Sequence, residues 1–132
     1  MGLGDHRLNV SIAVSDINEA TAFYEGKLGL EVLEHGPSAR ILDGGRVYGS
    51  GGGSQLCVYQ SDTAGQSSAT LATWYVDDID ATVEELTAAG VEFARYEGFE
   101  QDGSGIGPRA GGGRIAWFRD PDGNTFAVES DD

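Results

Sequence analysis

Side chains able to do chemistry are few in this sequence, and they are scattered. The single cysteine, Cys57, lies between Leu56 and Val58 in a strand-like stretch. It has no partner for an intramolecular disulfide, and an apolar setting favours packing as a small hydrophobe over action as a nucleophile. The only histidines, His6 and His35, read as solvated surface groups. Two glycine-rich stretches, Gly49 to Gly53 and Gly103 to Gly113, invite a phosphate-binding reading. Neither leads from a strand into a helix, and neither carries the Lys and Ser/Thr of a phosphate loop, so nucleotide binding is set aside. The run from Glu97 to Gly113 is long for a connection in a compact domain, a length common in lids and mobile segments.

The elements that must position these side chains come as an internal repeat. Asp16-Ile17-Asn18-Glu19-Ala20 opens a helical pattern that reaches Leu28 and stops at Gly29; Asp78-Ile79-Asp80-Ala81 opens a second that stops at Gly90. Ser15 or Asp16, and Asp77 or Asp78, can accept hydrogen bonds from a first helical turn, while glycine suits the left-handed position after the last. Ile17, Ala20, Phe23 or Tyr24 and Leu28, then Ile79, Val83, Leu86 and Ala89, recur at helical spacing and give each helix one apolar face. Strands are expected over 8–14, 30–33, 40–42, 46–48 and 55–60, with 40–48 forming one hairpin, and then over 71–76, 91–96, 114–119 and 125–129. Asp120-Pro121-Asp122-Gly123-Asn124 is a strong turn between the last two. Each half therefore reads strand, helix, three strands. The fold class is α+β, two βαβββ modules over about 6–61 and 69–130 joined by a polar linker over about 62–68, one domain in all.

A chain of 132 residues is long enough to bury a hydrophobic core unaided. No apolar run approaches the roughly 18 residues of a membrane span. Met1 to His6 lacks the basic start and apolar stretch of a secretory signal, which makes the cytoplasm the expected location. With 22 acidic against 8 basic residues and a formal net charge of -14, a phosphate backbone would be repelled, so nucleic acid is not an expected partner. The acids are spread along the chain, and Glu19, Glu25, Glu84 and Glu85 belong on outer helix faces. That distribution suits host adaptation better than an acidic cleft for a cationic ligand.

Val14-Ser15-Asp16 leading to Phe23-Tyr24 and Leu28-Gly29-Leu30, Val76-Asp77-Asp78-Ile79 leading to Gly90-Val91, and the closing Asp120 to Asn124 turn together resemble the vicinal oxygen chelate family, which takes in glyoxalases, bleomycin resistance proteins and dioxygenases. The resemblance covers nearly the whole chain. It implies two modules whose mixed sheets curl around a cleft, often completed by dimerisation, and hence a homodimer. Metal-dependent members place a His on the first strand of a module and a carboxylate on its last. By the resemblance those positions fall here at Asn9 and Leu71, and at Cys57 and Ala127. One thiol among Asn, Leu and Ala cannot chelate a divalent ion, so no metal and no cofactor are expected. A relocated site would need Glu129 and His6 together, and strand parity turns those two apart.

With Asn9 and Leu71 taken as cleft-facing by the resemblance, strand parity adds Ser11 in the first half and Thr73 and Tyr75 in the second, and the family pattern points Cys57, Ile115, Trp117, Ala127 and Glu129 inward as well. This surface is apolar and aromatic with a few hydroxyls, which suits a planar or hydrophobic organic ligand. The leading expectation is a metal-independent small-molecule-binding protein of the bleomycin-resistance type, and no catalytic residue can be named. The alternatives are a glyoxalase-like lyase, isomerase or dioxygenase-type enzyme with a displaced metal site, and a small regulatory module.

Overall fold

The computed structural model describes residues 2–6, 8–33 and 45–132. Both helices start where an aspartate can cap them. Asp16 Oδ1 accepts from the amides of Asn18 at 2.9 Å and Glu19 at 3.3 Å, and Asp78 Oδ1 accepts from Ala81 at 3.0 Å. The first helix, α1, is α-helical over Ile17–Thr21 and widens into a π turn over Ala22–Lys27. Leu28 N accordingly donates to Phe23 O, five residues back. The wider turn brings Phe23 and Tyr24 into the core together, where the α-helical spacing left a choice between them. The second helix, α2, is regular over Ile79–Ala88. Gly29 at φ 73° and Gly90 at φ 101° lie just beyond the two helices in the left-handed region that glycine tolerates best.

Each helix lies on a four-stranded mixed sheet. The first is ordered β1-β4-β3-β2, from β1 (Val10–Val14), β2 (Glu31–Val32), β3 (Arg46–Gly49) and β4 (Gln55–Gln60). The second repeats the plan as β5-β8-β7-β6, from β5 (Thr70–Tyr75), β6 (Gly107–Pro108), β7 (Arg114–Arg119) and β8 (Thr125–Ser130). In both, the first strand pairs parallel with the last and the other pairings are antiparallel. The expected strand over 40–42 and its half of a hairpin lie outside the described residues.

One expected strand is absent. The backbone of residues 91–96 pairs with the sheet only through a Phe93–Phe118 bridge and the bond from Ala94 N to Trp117 O. The edge position beside β7 belongs instead to Gly107 and Pro108, opposite Ile115 and Arg114. A two-residue edge strand tolerates a proline because its missing N–H falls where no neighbour needs it.

The two modules share one core. Tyr24 stacks on Tyr48 of its own sheet, with centroids 6.0 Å apart, and meets Phe126 of the other sheet edge-on at 6.1 Å. Burying each such ring contributes about 1.5–3 kcal/mol. A polar latch reinforces the join. Asp120, only 5 % exposed, accepts from Tyr24 Oη at 2.6 Å, from Asn124 Nδ2 at 2.9 Å and from the amides of Asp122 and Asn124. Asn124 Nδ2 also donates to Ala13 O of β1, and Ser15 donates to Asp122 from both its amide and its hydroxyl. Burial, and next the Asp120 carboxylate, push the Tyr24 phenol far above the ordinary tyrosine range.

Candidate ligand-binding site

Alternation along the strands gives each sheet a helix-bearing face and a helix-free face. Ile12, Val14, Leu56 and Val58 in the first sheet, and Ala116, Phe118, Phe126 and Val128 in the second, join the core beneath the helices. Their neighbours therefore point the other way. On the first sheet Ser11 pairs with Cys57, and Cys57 with Val47, in one cross-strand row. Asn9 lies just before β1, its Nδ2 3.8 Å from Cys57 Sγ. On the second sheet Thr73, Ala127 and Trp117 form one row, and Tyr75, Glu129 and Ile115 the next. Leu71 falls at a register shift between Thr70 and Ala72 and packs against the core cluster.

The structure thus gathers the expected site residues as two groups, one per sheet. Of the two groups only Thr73 lines a crevice of about 100 Å³ between the sheets, together with Gln55, Leu56 and Trp74 among others. Gln55 Oε1 is buried there without a hydrogen-bond partner, an acceptor available to a ligand donor.

The second group is elaborated by residues that strand parity could not reveal. Tyr96 and Phe99 meet Trp117 edge-on with centroids 5.1 and 5.3 Å away. The Arg119 guanidinium lies 5.6 Å from the Tyr96 ring centre, in cation–π range. Arg109 reaches Glu129 at 3.1 Å and Asp131 at 2.8 Å, while its Nε donates to Gly112 O. The only carboxylate assigned to this face is therefore neutralised by a guanidinium.

These partners all come from the long connection before β7 or its flanks. That connection is tied by its own side chains: Gln101 Nε2 donates to Ala94 O and Gly105 O, Gln101 Oε1 accepts from Tyr96 N, and Asp102 Oδ1 accepts from the amides of Ser104 and Ile106. Ile106, 4 % exposed, anchors it in the core. The segment whose length suggested a lid is thus a braced wall. The available signal was the pair of apolar side chains, Phe99 and Ile106, set among glycines.

The fold family implies a metal, and the donor set does not fit one. The four positions named by resemblance carry Asn9, Cys57, Leu71 and Ala127, of which Leu71 and Ala127 have no ligating atom. Glu129 already faces Arg109, His6 is exposed in the N-terminal segment, and His35 lies outside the described residues. Among the described residues no three His, Cys, Asp or Glu side chains come together as a metal would require.

A separate apolar cavity of about 230 Å³ lies on the helix-bearing side of the second sheet, beneath α2. It holds none of the expected site residues. The described helices include none long and apolar enough to cross a membrane.

Comparison with known proteins shows where this architecture recurs. The Glyoxalase/Bleomycin resistance protein/Dioxygenase superfamily matches residues 6–128. Among solved structures, UcmS2 is 26% identical with a TM-score of 0.70, over 94% of this chain and 97% of that one. TnmS3, an antibiotic binding protein from Streptomyces sp. CB03234, is 24% identical with a TM-score of 0.67 over 96% of each chain. The fosfomycin resistance protein FosX from Listeria monocytogenes is 19% identical with a TM-score of 0.65, over 95% of this chain and 92% of that one. Comparison with curated proteins gives no match.

Proposed function

The chain belongs to the glyoxalase/bleomycin resistance protein/dioxygenase superfamily, and from that premise we propose that it is a metal-independent binding protein for small planar organic molecules. The observation that carries this reading is the substitution of the metal-ligand positions by Asn9, Cys57, Leu71 and Ala127. Without a metal the remaining resource of the helix-free faces is aromatic area. Trp117 braced by Tyr96 and Phe99, with Tyr75 78% exposed two strands away on the same face, offers stacking surface held in place before a ligand arrives. The Arg109–Glu129 pair removes the one free base that a metal-free enzyme could draw on from this face. TnmS3, which shares the fold, is an antibiotic binding protein, which supports a small-molecule-binding reading.

The protein acts as a homodimer in this reading. Exposed Tyr75 and Leu8, 78% and 86% accessible, favour a covering partner. Elemental analysis of untagged protein tests the proposal. The expected result is far less than one equivalent of any divalent transition metal per chain. About one equivalent of zinc, iron, nickel or manganese, lost in Glu129→Gln, would overturn it.

A further inference from the structure

The cavity beneath α2 is built from both modules and faces away from the site proposed above. Leu30 and Ser50 of the first module close it over Trp74, Thr82, Leu86 and Phe118 of the second. No ionisable side chain is among the described residues on its wall. Its polar atoms are already engaged: Trp74 Nε1 donates to Ser50 Oγ at 3.1 Å, and Thr82 Oγ1 donates to Asp78 O at 2.9 Å. The pocket opens to solvent on one side, and water lying in it finds few of the two to four partners it needs, so it favours an apolar occupant. An apolar cavity of roughly 150 Å³ is enough for benzene, and about 230 Å³ admits a fused two-ring molecule. One wall is itself aromatic, with Trp74 stacked on Phe118 at 6.2 Å and 22° between planes.

We propose that this cavity is a second ligand site, specific for small neutral aromatic molecules of about two rings and independent of the helix-free faces. A ligand here touches both modules at once, so occupancy strengthens the contact between them. The tryptophans report on the two locations separately. Trp74 lines the cavity and Trp117 stands on the opposite face of the same sheet.

Titrating naphthalene into ¹⁵N-labelled protein, with both indole N–H signals followed by NMR, tests the assignment. The expected result is a saturable shift of the Trp74 signal with Trp117 unmoved. Thr82→Leu, which fills the cavity from α2, should weaken that response at least tenfold while the rest of the spectrum stays native. Leu30→Phe fills it from the first module and serves if Thr82→Leu fails to fold. A response at Trp117 alone, no saturable response at either indole, or undiminished affinity in a folded filled variant would overturn the proposal. So would a Trp74 signal that moves on dilution and ignores naphthalene, since the occupant would then be a second copy of the chain.

Discussion

The turn between the last two strands of each module occupies the same place in the repeat, and the two turns are built in opposite ways. In module one Ser50 to Ser54 is three glycines between two serines, and it is joined to the other module by the bond from Trp74 Nε1 to Ser50 Oγ. In module two Asp120 to Asn124 is a dense latch that engages Tyr24, Ala13 and Ser15 of module one. The helix-free faces differ in the same sense. Module one shows Ser11, Ala13 and Cys57 with the single ring of Tyr59, whereas module two carries Trp117 with its aromatic brace and the Arg109–Glu129 pair. A duplicated frame sets where each element lies, and it leaves the two copies free to divide the work. Module two holds most of the proposed recognition surface and the stronger half of the join.

The largest effect should come from unbalancing the turns. Asp120→Ala leaves the buried Tyr24 hydroxyl and the Asn124 amide without their acceptor, and each buried donor left unsatisfied costs about 1–3 kcal/mol. Ser50→Ala loses a single half-buried bond and should cost about 1 kcal/mol. Urea unfolding of both variants measures the contrast, and equal losses would show that the turns are equivalent after all.

Much of this division could be read from residues, and the part that could not has a physical cause. Caps and stops are local, so Asp16, Asp78, Gly29 and Gly90 marked both helices in advance. Strand parity is also local, and it separated Ser11 from Ile12 and Thr73 from Trp74. What stayed hidden depends on partners distant in sequence. Arg109 meets Glu129 only after the chain has closed around β7, and Gly107 and Pro108 displace residues 91–96 from the edge because of how that connection folds back. A bulge next to Leu71 breaks the alternation that placed it in the cleft, and nothing in Thr70-Leu71-Ala72 announces it.

A middle-sized effect should separate the faces. Trp117→Ala removes the centre of the aromatic surface and should lower affinity for a planar neutral compound such as phenazine by about tenfold or more, equivalent to roughly 1.4 kcal/mol. Ser11→Ala should change it by less than about threefold, since it deletes at most one exposed hydroxyl contact. Fluorescence titration of the two variants decides the matter, and a larger loss at Ser11 would move the recognition surface to module one.

The smallest effect is a pH dependence confined to the alkaline side. Tyr24 is held neutral in the folded protein by burial and by Asp120, so its folded pKa lies above its unfolded one. The resulting stability is fully present below about pH 10, the ordinary tyrosine value. It is lost as pH rises further, because the unfolded chain releases the proton first. Tyr48 acts in the same direction through burial and its bond to Glu25. Tyr24→Phe should flatten the decline above about pH 10 without altering the profile near neutrality. A decline already under way at neutral pH, and relieved by Tyr24→Phe, would assign the titration to another group.

The central claim is that the fold binds a planar organic ligand without a metal, and a calorimetric titration of phenazine with and without a chelator tests it most directly. The account predicts saturable binding with the same affinity and stoichiometry in both conditions, and no change on adding zinc or manganese. Binding that disappears with the chelator and returns with one equivalent of metal, or no saturable binding in either condition, would contradict it.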